Sequence, residues 1–415
     1  MFQPINLLQI PIYNKPTPTY KRALMRYNFN EIIDRRHTGS LKWHYSDDTI
    51  ALWVADMDFR AAQPILNTLE RMLHHGVLGY TKPTEALYEA IIDWHGARYD
   101  LWLNKEDILF SPGVVPSLAL MMRLWTQAGD AILVNDPIYA PFMTKVEQNG
   151  RTLVTSALTE FEGKYYLDLA DIEAKIIKHK IKLYLFCNPH NPGGRVWTAD
   201  EIKALLEVCK KHDVAIVSDE IHQDLTLTGH TFTPFLTLAA GYEHKAVSMT
   251  SMTKTFNVAG IKCSMIFAKD KALTNAISRQ QQLSDEHDLN LFAYEVMKSA
   301  YEQGNEWLAQ LLAYIEANIE LTLHFLAQHL PEIKVMRPEA SYLMWLDCSA
   351  YSQDDQTLYE ALREAKVELS SGIQYGNEGH LKMRLNVACP QAVLREGLMR
   401  MNTAFDNLAK PAETQ

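Results

Sequence analysis

The chain has 415 residues, 47% of them hydrophobic and 22% charged, an ordinary soluble globular composition with length for roughly two to three domains. A formal net charge of −10 leaves no basic footprint for nucleic acid or an anionic membrane. Cys187, Cys209, Cys263, Cys348 and Cys389 stand singly, so neither a disulfide framework nor a zinc site is indicated and a reducing compartment fits best.

Residues 1–24 carry prolines at positions 4, 11, 16 and 18 and lack the basic start and continuous apolar core of a signal peptide, so they read as an irregular arm or an overlong start. No stretch has the apolar length of a membrane helix. The expected location is cytoplasmic. Residues 27–36, with Asn30 as a cap and apolar Ile32 and Ile33, predict a short helix. A strand over 50–54 then runs into Ala55-Asp56-Met57-Asp58-Phe59. Helices follow over 61–75 and 84–99, and the loop between them, Gly76-Val77-Leu78-Gly79-Tyr80, has glycines that suggest a fixed, accessible tyrosine as against plain packing.

A strand over 107–110 turns through Ser111-Pro112-Gly113 into a helix over 114–125. Free N–H groups and the helix dipole make such a turn an anion site, although it is also the commonest way to join a strand to a helix. A strand over 131–134 leads into Asn135-Asp136-Pro137-Ile138-Tyr139. Strands over 153–155, 183–187, 214–217 and 244–249 then alternate with helices over 169–179 and 198–212, the last capped by Thr198 with Glu201 three residues on. The alternation predicts a doubly wound, mostly parallel α/β sheet between residues 60 and 290. Sites in such sheets lie outside the carboxyl ends of the strands.

Three strand ends carry candidate chemistry. One opens into Asn188-Pro189-His190-Asn191-Pro192-Gly193-Gly194, one releases Asp219, and one runs into Ser251-Met252-Thr253-Lys254 between apolar walls. Desolvation lowers a lysine's pKa and exposes a nucleophilic amine, as a Schiff base with an aldehyde cofactor requires. Each residue also has a plain reading: Lys254 as a surface lysine, Asp219 as a salt-bridged strand end, the asparagine step as a good turn. After Gly260 the chain is richer in helix, over 272–282, 291–301, 306–329 and 356–365, with strands over 333–336, 341–346 and 381–386. Residues 56–300 therefore form the expected large domain, and 301–415 a smaller α+β domain joined by residues 25–55.

Taken together, VADMDF, GVLGYT, SPGVVPSL, NDPIYAPF, CNPHNPGGRVWT, SDEIHQDL, SMTKTFN and MRLNVACP resemble the fold-type I pyridoxal-phosphate enzymes of aminotransferase class I/II. Among these the chain is most similar to the cystathionine β-lyase and cystalysin branch, the MalY/PatB-type carbon–sulfur lyases. The resemblance implies a seven-stranded, mostly parallel sheet and pyridoxal 5′-phosphate on Lys254. It implies that Asp219 pairs with the pyridine nitrogen, that Asn191 donates to the phenolic oxygen and that Tyr139 stacks on the ring. Gly113, Val114, Val115 and Ser251 would bind the phosphate, with Lys262 where aminotransferases often carry an arginine. His222 stands where many relatives carry a tyrosine, as in the lyase branch. Arg384 would clamp the substrate α-carboxylate, with Asn191 and Asp58 on the substrate side, and Tyr80 would reach the neighbouring subunit of a homodimer with shared active sites. The implied reaction is β-elimination from cystathionine, an S-substituted cysteine or a cysteine sulfoxide to a thiol-type product, pyruvate and ammonia. Transamination shares its early steps, and a regulatory protein retaining the fold is the unrelated alternative.

Overall fold

A computed structural model describes residues 27–46 and 48–409, so the arm expected at residues 1–24 lies outside the described residues. A seven-stranded sheet is formed by β1 (Ile108–Ser111), β2 (Ala131–Asp136), β3 (Thr152–Ala157), β4 (Leu183–Cys187), β5 (Ala215–Asp219), β6 (Ala246–Thr250) and β7 (Ser264–Phe267). Its order is β1-β7-β6-β5-β4-β2-β3. The five strands from β6 to β3 are parallel, and β7 runs antiparallel to both its neighbours. Strands β2, β4, β5, β6 and β7 are buried along their whole length. Continuous apolar runs are what a sheet covered on both faces demands. Alternate residues feed two cores: Ile132, Val134, Leu183, Leu185 and Val217 on one face, Leu133, Tyr184, Phe186 and Ile216 on the other.

Helices α1 (Gln63–His75) and α2 (Glu85–Tyr99) precede β1, and α3 (Val114–Trp125), α4 (Ala140–Gln148), α5 (Leu169–His179) and α6 (Ala199–Lys211) alternate with the strands that follow. The capping box of α6 is present in full, with Thr198 Oγ1 accepting from Glu201 N and the Glu201 carboxylate accepting from Thr198 N. The helix expected over 27–36 does not form. Asn30 accepts from the Tyr314 hydroxyl instead of capping, and Arg35 reaches Asp56 and Asp58, so tertiary pairing overrides the local pattern.

A second sheet, antiparallel throughout, contains β8 (Lys334–Met336), β9 (Leu343–Asp347), β10 (Ser370–Ser371) and β11 (Lys382–Asn386), in the order β8-β9-β11-β10. Residues Ile50–Ala51 pair in parallel with Val367–Glu368 as a separate two-stranded sheet, just before β10 in the chain. Two polar clamps fix it to the large sheet. At the end of β2, the Asp136 carboxylate accepts from the backbone N–H groups of Asn377 and Glu378. The backbone comes so close there that a Cβ on Gly376, at φ +121°, would stand 2.1 Å from Asp136 Oδ1.

The second clamp is the buried Arg195, which donates to the Glu339 and Glu201 carboxylates at 2.8 Å each and to Tyr165 O. Burial alone would raise the Glu339 carboxyl, but Lys164, the Val196 N–H and Arg195 together hold it below its ordinary value of 4.5. A depressed carboxyl contributes stability above its unfolded pKa and loses it as pH falls through the folded value. Glu339→Ala should therefore cost about 3 kcal/mol at neutral pH by leaving Arg195 short of a buried partner, read as a lower urea midpoint. The deficit should shrink as both proteins are taken below pH 4.5.

Candidate active site

The carboxyl ends of β2, β4, β5 and β6 open on one edge, and the register sets Cys187 opposite Asp219 and Asp219 opposite Met249. Lys254 sits one short turn beyond β6, in a single helical turn over Met252–Thr255. Ser251 starts that turn: its Oγ accepts from Thr253 N at 3.1 Å and donates to Cys263 O at 2.6 Å. The lysine's Nζ donates to Ala55 O. The Tyr342 hydroxyl donates to the same carbonyl at 3.0 Å. Burial, followed by the Arg384 charge, lowers the amine from 10.5 to about 8, against the pull of Asp56 and Asp219.

Asp219 ends β5, is 5% exposed, and accepts from Ile221 N at 3.0 Å. Burial raises its carboxyl to about 7, opposed only in part by that N–H and by Lys254. A buried carboxyl so raised, with no cation hydrogen-bonded to it among the described residues, fits a ligand that brings positive charge. Asn191 is buried, and its Oδ1 accepts from Arg384 Nη1 at 3.1 Å, which leaves its NH₂ as a donor for a ligand. His190 fixes the asparagine loop, its Nε2 2.9 Å from Pro137 O while Nδ1 accepts from Gly193 N. Burial holds it neutral, at about 4. The same bond anchors the turn that leads to Tyr139, which is half-buried at the start of α4 and feels the charges of Arg384 and Asp219.

Arg384 lies in β11 of the second sheet and is 4% exposed. Its Nη2 donates to Trp53 O at 2.9 Å, Ser370 Oγ stands 3.5 Å away, and the guanidinium lies 4.9 Å from the centroid of the Tyr375 ring. Among the described residues its Nε is buried without a partner, as is Nδ1 of His222. His222, 3% exposed and 6.3 Å ring to ring from Tyr342, is pushed down to about 3 by burial and then by Lys254 and Arg384, so it is a neutral imidazole. Orphaned buried donors and acceptors on facing elements mark a place where a polar ligand belongs.

Gly113 precedes the first turn of α3 with no side chain capping it, so the amides of that turn remain available to an anion. Lys262 is exposed, in a left-handed turn at φ +58°. Tyr80 is fully exposed, on a loop that also exposes Val77 and Leu78. Asp58 belongs to a different cluster: its carboxylate accepts from Arg35 and Trp43 on one oxygen and from Lys42 on the other. It therefore steadies residues 55–59, the stretch whose Ala55 O meets Lys254, rather than facing a ligand.

Sequence reasoning missed Ala55 O, Trp53 O, Ser370, Tyr342 and Tyr375. The two carbonyls have no side-chain signature. Tyr342 precedes an apolar run, Leu343 to Leu346, and reads there as ordinary core.

The family model for aminotransferase class I and II matches residues 48–401. The chain is 40% identical over 385 residues to cystathionine beta-lyase PatB of Bacillus subtilis, covering 91% of this chain and 100% of that one. It is 30% identical to protein MalY of Escherichia coli over 391 residues, covering 91% and 99%. Cystalysin of Treponema denticola with its pyridoxal 5′-phosphate cofactor superposes with a TM-score of 0.90 at 30% identity, covering 92% and 100%. The PLP-bound C-S lyase of Staphylococcus hominis does so with 0.87 at 31%, covering 92% and 98%.

A lysine amine lowered to about 8 can be titrated directly. In cofactor-free protein, modification of Lys254 by an amine reagent, followed by peptide mass mapping, should rise with a midpoint near pH 8. Because the Arg384 charge disfavours the ammonium, Arg384→Met should move that midpoint upward.

Proposed function

The chain belongs to the aminotransferase class I and II family, and on that premise we propose that it is a pyridoxal-phosphate-dependent carbon–sulfur β-lyase. The observation that carries this reading is the convergence of a lysine amine lowered to about 8, a carboxyl raised to about 7 and a preheld arginine on one sheet edge. The choice of lyase chemistry is supported by relatives named cystathionine beta-lyase and C-S lyase.

When bound, pyridoxal phosphate supplies an aldehyde carbon and an electron-withdrawing ring. The residues present fit it. Lys254 offers the amine, and Asp219 offers a buried carboxylate to a protonated ring nitrogen. Asn191 donates its NH₂ to the phenolic oxygen, and His222 presents a neutral imidazole with a free Nδ1. Tyr139 would flank the ring. The amides of Gly113, Val114 and Val115 would take the phosphate, with Lys262 adding charge from its exposed turn, and the Ser251 hydroxyl would join them only by turning its proton away from Cys263 O.

Arg384 binds the substrate α-carboxylate. Its guanidinium is fixed beforehand by Trp53 O, Ser370 and Asn191, so little ordering remains to be done on binding. Lys254 removes the α-proton from Cα, a task suited to an amine whose pKa lies near the working pH. The Cβ–S bond then breaks, sulfur departs as a thiol, and the remaining three carbons hydrolyse to pyruvate and ammonia. Cystathionine or an S-substituted cysteine provides such a leaving group, whereas a cysteine sulfoxide would release a sulfenic acid in place of the thiol. The exposed Tyr80 loop supports a homodimer in which Tyr80 completes the neighbouring subunit's site. Five buried free cysteines fit a cytoplasmic protein. Among the described residues no helix is long and apolar enough to cross a membrane.

Lys254→Ala should lose the cofactor's visible absorbance band and release no pyruvate from cystathionine; a retained band with turnover would overturn the assignment. Arg384→Lys should keep the band and raise KM by about tenfold, because an ammonium cannot make the two-pronged contact. Mixing inactive Lys254→Ala with inactive Tyr80→Phe subunits should restore part of the activity if sites are shared, and restore none if each subunit is self-contained.

A further inference from the structure

Asp224 is a buried carboxylate, 4% exposed, and among the described residues no lysine, arginine or histidine forms an ion pair with it. It is satisfied by three neutral donors. Trp94 Nε1 and the Tyr99 hydroxyl reach Oδ1 at 3.0 and 2.5 Å, and Thr255 Oγ1 reaches Oδ2 at 2.8 Å. Burying a carboxyl without a cation is costly unless each oxygen is well bonded, so such a group is held for what its bonds fix in place.

What they fix is the lysine turn. Thr255 directly follows Lys254 and is 0% exposed. Upstream of the lysine, Ser251 is tied to Cys263 O; downstream, Thr255 is tied to Asp224, so the amine-bearing residue is anchored on both sides. Phe256 packs at 5.8 Å from the Trp94 ring, which repeats the link from the turn to α2. Asp224 also lies on the loop that leaves β5 after Asp219 and carries His222. One carboxylate thus joins the lysine turn, the acid loop and α2. Arg384, Asp56, Asp219 and Lys262 are the charges that bear most on Lys254, so Asp224 acts by placement rather than by its field.

We propose that Asp224, through Thr255, is the positioning residue that sets Lys254 against its cofactor and the substrate α-proton. This rests on the reading of Lys254 as the cofactor-bearing lysine.

The test uses the holoprotein. Thr255→Val removes the hydrogen bond and keeps the shape; Thr255→Ser keeps the bond. At equal cofactor occupancy, Thr255→Val should lower kcat by about tenfold with KM within about twofold, the size expected when a reacting group is misplaced by a fraction of an ångström. Its visible circular dichroism per bound cofactor should change too, and Thr255→Ser should restore both values. Wild-type kcat and dichroism in Thr255→Val would overturn the proposal. So would a Thr255→Ser protein as impaired as Thr255→Val, since that outcome assigns the effect to methyl packing. If Thr255→Val does not fold, Tyr99→Phe, which loosens Asp224 from the other side, should lower kcat about threefold with the same change in dichroism, and no change would overturn the tether. Should the wild type release no pyruvate, the functional reading fails, while the dichroism of the Thr255 variants still decides the role of Asp224.

Discussion

Desolvation of one amine is the constraint on which the rest of this structure depends. A lysine amine at 10.5 is protonated at neutral pH and is a poor nucleophile and a poor base; at about 8 a useful fraction is neutral. Burial does most of the lowering, and burial at a strand's carboxyl end requires a sheet covered on both faces. The doubly wound architecture supplies that cover. It also releases Asp219 and Asn191 on adjacent strands, which puts acid, amide and amine on one edge without any long-range coincidence.

The second sheet brings a buried arginine to that edge. Arg384 comes from β11, and its guanidinium is held by Trp53 O, Ser370 and Asn191, that is, by the early segment, its own sheet and the asparagine loop. The positive charge that would bind a carboxylate is therefore the one that helps to lower Lys254. A substrate carboxylate bound there would offset that influence and so raise the basicity of the amine. The clamps at Asp136 and Arg195 keep the two sheets in register for this coupling, and Gly376 lets backbone approach the Asp136 carboxylate where any Cβ would collide.

Much of this was legible in the sequence because the signals were local. Continuous apolar runs located the buried strands, and the Thr198–Glu201 spacing located a helix start that the structure forms in full. Lys254, Asp219 and Asn191 could be singled out because each follows such a run. What was not legible depends on pairing between distant segments. Residues 27–36 carry a helical pattern, yet Arg35 is drawn to Asp56 and Asp58, and the helix is lost. The antiparallel strand Ser264–Phe267 is only four residues long and followed a glycine in a stretch read as helix-rich. The resemblance puts Asp58 on the substrate side, while in the structure Arg35, Lys42 and Trp43 donate to its carboxylate. Asp224, in an acid-rich stretch, gave no hint that Trp94, Tyr99 and Thr255 converge on it.

The edge where Lys254, Asp219 and Arg384 meet is proposed to break a carbon–sulfur bond rather than exchange an amino group. The most direct measurement is the yield of pyruvate and thiol from an S-substituted cysteine given to the purified holoprotein with no keto acid present. One pyruvate and one thiol are expected for each substrate consumed, with no increase when a keto acid is added. Consumption that begins only on adding a keto acid, with the amino group recovered on it and no thiol released, would contradict that assignment.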